Sequence, residues 1–220
     1  MMKKLLFGAL VVMGLPAFSQ TQSLGKSDPD AKKILDDVSA RFKTYKSAVA
    51  VFTLKIENSS GKTLGTKTGV VNMKGSKYQV NVSGQEIFSD GNNIWTYDKA
   101  ANEVQITKFD ASSNTITPQK MFTNFYDKDF LYKLNGETKK GNKKVQEIEL
   151  TPLDKTKTFF KVIIYIDKAS QSIMSSKVFQ KTGDKYTYVI TSLKTNTNPP
   201  DALFVFDPKK YPKAEVIDLR

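Results

Sequence analysis

The side chains whose types and spacing could do chemistry in this chain are carboxylates. Glu147 and Glu149 stand two residues apart, Asp127 and Asp129 flank Lys128, and Asp36 and Asp37 are adjacent. Two carboxyl groups held about 5–9 Å apart across a cleft are the equipment of glycoside hydrolysis. Glu147 and Glu149, however, alternate with Ile148 and Leu150 in a strand-like run, so the pair shares a face opposite the apolar residues and points to solvent. Asp127 and Asp129 fall just before a strand, and Asp36 and Asp37 fall on the polar side of a helix. Asp90-Gly91 has the look of a calcium loop, but such a site needs several oxygen ligands in a short run, and a hairpin turn accounts for it. No glycine pattern suggests a phosphate cradle.

The absences narrow the field further. The 220 residues include no His and no Cys. That removes catalytic triads and dyads built on imidazole or thiol, cysteine-held zinc, disulfides and a cysteine for lipidation of the chain itself. The expectation is a protein that is not an enzyme and carries no cofactor and no metal. An envelope-glycan hydrolase using an Asp/Glu pair is the weakest alternative.

Charge points away from nucleic acid. Lys and Arg total 34 against 22 Asp and Glu, a formal net charge of +12. Only Arg41 and Arg220 are arginines, whereas phosphate and base recognition leans on the planar guanidinium fork. The lysines are mostly spread singly along alternating segments, with small clusters such as Lys139-Lys140 and Lys143-Lys144. A solvated Lys-rich surface alone explains most of them, with a diffuse attraction to anionic membranes as the further reading.

These residues must be positioned by a recognisable series of elements. Met2-Lys3-Lys4, the apolar run Leu5 to Leu15 and the small residues before Gln20 read as a signal peptide over 1–19, cleaved near Ser19-Gln20. Residues 20–220 then read as one exported domain, placed in the periplasm or outside the cell. Asp28-Pro29 opens a helix. Ile34, Leu35, Val38, Phe42 and Tyr45 make its apolar stripe, so it covers about 29–45.

From Ala48 the period changes to two. Strands are expected over 48–57, 62–74, 78–82, 86–88, 94–97, 103–108, 130–134, 144–151, 159–167, 173–181 and 185–195, with Phe204-Val205-Phe206 closing the series. Short turns between them indicate an antiparallel meander. Pro118, Met121, Phe122 and Phe125 fit one or two helical turns in the middle. The fold class is mainly β, and about ten to eleven strands suit a strongly curved sheet or barrel that holds a helix against its concave face, with the helical pieces as a lid. Aromatic and β-branched residues repeated on one face of many strands would line that cavity and suit a lipid.

Several stretches resemble one family. Ser89-Asp90-Gly91-Asn92-Asn93-Ile94-Trp95-Thr96-Tyr97 is similar to the SDG-x-x-(L/I)-W-x-Y hairpin of the lipoprotein carriers of the LolA family. Phe52-Thr53, Gly69, Thr117-Pro118 with Met121 and Phe122, Leu150-Thr151-Pro152, and Phe204 to Pro208 follow in the same order. The resemblance implies a half-open antiparallel β-barrel of about ten to eleven strands with a helical lid over a hydrophobic cavity, in a periplasmic monomer that shelters the acyl chains of lipoproteins. It also implies loading by an inner-membrane lipoprotein-releasing ABC transporter and delivery to the outer membrane, with or without a receptor there. A lipid- or lipoprotein-sensing regulatory domain of the same fold is the alternative. Candidate ligand-facing residues are Leu35, Val38, Phe42, Phe52, Leu54, Tyr78, Val80, Trp95, Met121, Phe122 and Phe125, with Tyr78 at a family cavity aromatic. One departure stands out: Gly75 occupies the place of the family arginine that hydrogen-bonds the lid shut.

Overall fold

The computed structural model describes residues 25–110 and 126–220. The signal peptide, the proposed lid turns and the three candidates Met121, Phe122 and Phe125 lie outside the described residues.

Alternation of apolar and polar side chains produces two antiparallel meanders that merge into one sheet. The first comprises β1 (Ser47–Glu57), β2 (Thr63–Lys74), β3 (Lys77–Val82), β4 (Gln85–Ser89), β5 (Asn93–Asp98) and β6 (Glu103–Lys108). The second comprises β7 (Phe130–Lys140), β8 (Lys143–Pro152), β9 (Phe159–Asp167), β10 (Ser172–Gln180) and β11 (Lys185–Thr195). β11 pairs antiparallel with β1 and so joins them. A last short strand, β12 (Glu215–Asp218), pairs parallel with β6. The order is β12-β6-β5-β4-β3-β2-β1-β11-β10-β9-β8-β7. Its outer members β12 and β7 are not paired with each other, so the sheet is open, consistent with a half-open barrel.

Twelve strands replace the expected ten to eleven. The difference lies at the C-terminus. Phe204-Val205-Phe206 is not a strand; Asp201–Phe204 forms a 3-10 turn instead. β12 was illegible because its residues are mostly exposed and show no apolar alternation.

The helix α1 (Pro29–Lys43) begins where the N-cap signal places it. Asp28 does two jobs there. Its Oδ1 accepts from the Asp30 and Ala31 amides at 2.8 and 3.4 Å, capping the helix. Its Oδ2 accepts from the Leu134 amide at 3.0 Å, and its own amide donates to the Tyr132 carbonyl at 2.9 Å. One side chain thus starts the helix and ties it to β7. Ala31, Leu35 and Val38 then pack on Tyr132, Ile148, Leu150, Ile164 and Ile166. We call the sheet face that carries α1 the inner face. A four-residue helix, α2 (Tyr126–Asp129), leads into β7. Its buried Tyr126 donates a 2.7 Å hydrogen bond to Asp36 of α1.

Candidate functional site

Register decides which side chains look inward. Phe52, Leu54 and Ile56 of β1 are opposite Ile190, Tyr188 and Tyr186 of β11 on one side. On the other, Ala48, Ala50 and Phe52 are opposite Met73, Val71 and Gly69 of β2. Tyr78, Val80 and Val82 of β3 continue that row, followed by Ile87 of β4. Phe42 of α1 packs against Ala48, Met73 and Tyr78, which fixes this as the inner face.

The row is apolar yet incompletely covered by the described residues. Phe52, Leu54, Ile56, Val80, Tyr186 and Tyr188 are only half-buried. Burial pushes the Tyr188 phenol above its ordinary pKa, and does the same to Tyr78, whose hydroxyl bonds Ser89. The environment is therefore of low polarity even where side chains keep some exposure.

Gly69 supplies the floor. A Cβ built there would lie 2.4 Å from Cζ of Phe52, so the Phe52 ring reclines across β2 where any other residue would lift it. The same ring meets Tyr188 with centroids 6.1 Å apart. The result is a smooth aromatic surface spanning β2, β1 and β11.

The candidates fall into four groups. Phe52, Leu54, Tyr78 and Val80 share the inner face, with Tyr78 itself buried and Val80 packed beside it. Leu35 and Val38 are inside the helix–sheet core, 2% and 5% exposed. Phe42 bridges the end of α1 to Met73 and Tyr78, beside a cleft of about 200 Å³ that reaches Lys74 and Gly75.

Trp95 is a correction. It pairs with Phe88, which pairs with Gln79, so it shares the face opposite Tyr78 and Val80. There it joins Phe88, Tyr97, Val104, Phe206 and Tyr211 in an outer cluster covered by the C-terminal segment. Sequence reasoning passed over Ile56, Val71, Ile87, Tyr186 and Tyr188. The alternation of Tyr186 and Tyr188 with Lys185 and Thr187 carried a signal, but naming their face required the β1–β11 register.

The Glu147–Glu149 pair lies away from the inner row. Glu147 is opposite Tyr165 on the outer face, and Asn135 donates to both Glu147 and Glu149, at 3.0 and 3.5 Å. Among the described residues, no group of three or more acidic side chains is arranged to hold a metal.

A family model matches residues 43–207, under the description "Outer membrane lipoprotein carrier protein LolA". The chain belongs to the LolA family. No curated protein matches it. Among solved structures it is similar to an uncharacterized conserved protein from Thermus thermophilus, at 15% identity and a TM-score of 0.60, covering 86% of this chain and 99% of that one. A LolA superfamily protein from Nitrosomonas europaea aligns at 14% identity and a TM-score of 0.42, over 80% and 98% of the two chains. The lipoprotein LppX of Mycobacterium tuberculosis aligns at 13% and 0.49, over 79% and 99%.

The LolA match begins at the last residue of α1 and ends just after the outer cluster's Phe206, so it contains the whole inner face. At the family's arginine position Gly75 turns the chain from β2 to β3 with φ of +57°. Its neighbours act elsewhere. Lys74 Nζ donates to Asp201 at 2.8 Å and to the Pro199 carbonyl at 3.1 Å, and Lys77 Nζ reaches Asp201 at 3.0 Å. These lysines fasten the hairpin to the segment after β11.

Proposed function

We propose that this protein is a periplasmic carrier that holds lipoprotein acyl chains against its inner face and moves them from the inner to the outer membrane. The observation that carries the reading is the continuous half-buried apolar row over β11, β1, β2 and β3, floored by Phe52 lying on Gly69. Membership of a family described as outer membrane lipoprotein carriers supports it. An acyl chain costs about 0.8 kcal/mol per CH₂ in water, so a chain of about 16 carbons needs an apolar surface worth on the order of 10 kcal/mol to cross an aqueous compartment. Such a surface performs no bond chemistry. The carrier is therefore not an enzyme, and its His-free, Cys-free composition suits it. Its partners are acylated lipoproteins, an inner-membrane lipoprotein-releasing ABC transporter and an acceptor at the outer membrane.

The test pairs the two faces. Leu54→Glu places a charge in the middle of the inner row and should reduce retention of a triacylated lipoprotein at least tenfold, with the sheet still folded by circular dichroism. Trp95→Leu, on the outer face, should leave retention within twofold. Equal losses from both substitutions, or none from Leu54→Glu, would remove the inner face from the binding reaction. Intact mass of the protein purified from its host's periplasm then names the cargo, a free glycolipid favouring the sensing alternative.

A further inference from the structure

Two irregularities at one end of the sheet expose apolar side chains among lysines. Between Ile56 and Glu57 the β1–β2 register slips, leaving Leu64 as an extra residue in β2. Between Phe179 and Gln180 the β9–β10 register slips as well, leaving Phe160 as an extra residue in β9. A bulge re-aims the side chain that it inserts. Leu64 is 60% exposed and Phe160 49%, and Leu153 in the β8–β9 turn is 40% exposed.

The turns beside them form one rim. A Cβ on Gly183 of the β10–β11 turn would meet Ser59 of the β1–β2 turn at 2.7 Å. The Lys181 amide donates to the Thr158 carbonyl at 2.9 Å, joining the β10–β11 turn to the β8–β9 turn. Lys181 Nζ also reaches the Lys155 carbonyl. Leu153 thus sits in one of these turns, and Leu64 and Phe160 sit in the strands that leave them.

Charge on this rim is one-sided. Residues 55–67, 153–161 and 177–185 hold nine lysines and three carboxylates. Lys62, Lys67, Lys155, Lys157, Lys181 and Lys185 join no salt bridge among the described residues, in contrast to Lys143 and Lys168 at the other end, which pair with Asp167 and Glu137. Beside Phe160, the ring of Phe179 lies 6.2 Å away, and Lys161 and Lys177 hold their ammonium groups 4.8 and 5.6 Å from that ring. Lys55 and Lys177 pair with Glu57, and Lys161 with Glu149, but exposed apolar residues among the six lysines that join no salt bridge match the two layers of an anionic bilayer surface: phosphates for the ammonium groups and acyl boundary for the apolar tips.

We propose that the rim formed by the β1–β2, β8–β9 and β10–β11 turns docks on an anionic phospholipid surface through Leu64, Leu153 and Phe160 and the surrounding lysines. This rests on the rim alone and holds whether or not the inner face carries acyl chains. Ile56 and Tyr186, at the same end of the inner row, bring that row to the docked edge.

Vesicle co-sedimentation of the intact protein tests it, using phosphatidylcholine with about 30% phosphatidylglycerol and phosphatidylcholine alone. Binding is expected only to the anionic vesicles, weakening with salt. Replacing Lys62, Lys157 and Lys181 by Glu should lower binding at least tenfold. Replacing Lys139, Lys144 and Lys194 by Glu, at the opposite end of the sheet, makes the same change of net charge away from the rim and should cost no more than about threefold. Equal losses would reduce the effect to total charge and overturn the proposal, as would failure of the unmodified protein to bind. Because the chain has no cysteine, an environment-sensitive dye at Leu64→Cys or Phe160→Cys reports insertion directly. Its emission should shift to the blue on anionic vesicles, and a dye at Thr138→Cys should not shift. A shift at Thr138 equal to the others would also refute a localised rim. None of these measurements involves acyl-chain retention, so a failed carrier test and a failed docking test remain separate results.

Discussion

At the scale of single residues, Gly69 and Phe52 are best understood as one unit. The ring occupies the volume of the missing Cβ, with a hypothetical 2.4 Å contact to Cζ, so Gly69→Ala must displace either the ring or the strand. Forcing an extra methyl into a filled space costs about 1–3 kcal/mol. That cost should appear as a lower urea midpoint, together with weaker retention of acyl probes. In a Phe52→Leu background the offending ring atoms are gone, and the same substitution should cost less than half as much. Additive losses in this double-mutant cycle would mean that the two residues do not share the space. Part of this pair was legible beforehand: Phe52 and Gly69 stood out in sequence, but their contact depends on a register that pairs residues 17 positions apart. Trp95 shows the opposite outcome. Its motif is recognisable, yet its face is set through successive hairpins, and Ser89 pairing with Tyr78 and Ile94 puts Ile94 on the Tyr78 side. A shift of one residue anywhere along that path exchanges the faces.

At the scale of elements, the strands and α1 were readable because each carries its own period, whereas the ties between elements were not. Asp28 announced itself as an N-cap, but nothing local told of its bond to Leu134. The clamp of Lys74 and Lys77 on Asp201 joins segments more than 120 positions apart, and it has a consequence in pH. Hydrogen bonds from Lys74, then from Lys77, hold the Asp201 carboxyl down at about 2, against an ordinary value of 3.8. The folded value lies below the unfolded one, so the clamp's contribution is complete above about pH 4 and is lost as pH falls towards 2. Asp201 is exposed, so salt screens the effect. Asp201→Asn should lower the Tm by a few degrees at pH 6 in low salt, and by progressively less as pH approaches 2. A difference between the two proteins that stays constant from pH 6 to pH 2 would show that the carboxylate's charge is irrelevant to the clamp.

At the scale of the whole molecule, one sheet separates two apolar layers that serve different ends. Among the described residues, the inner layer keeps side chains half-buried, whereas the outer one is covered by the chain's own C-terminal segment. Tyr211 is the centre of that seal. Its ring lies 4.6 Å from Tyr97 and 4.9 Å from Phe206 by centroid, and its hydroxyl donates to Glu86 at 2.9 Å. Burial, with Glu86 as acceptor, pushes the phenol well above its usual pKa, so it stays a donor throughout the working range. Tyr211→Ala removes the ring contacts and leaves Glu86 without that donor. It should cost about 2–4 kcal/mol of stability. Trp95 is the chain's single tryptophan and belongs to this outer cluster, so its emission should move to the red as water reaches the uncovered layer. Acyl retention should not change, because the sheet stands between the seal and the inner row. If retention instead falls in step with the Trp95 shift, the two layers are mechanically coupled, and the C-terminal segment would then influence acyl binding at the inner row as well as stabilise the fold.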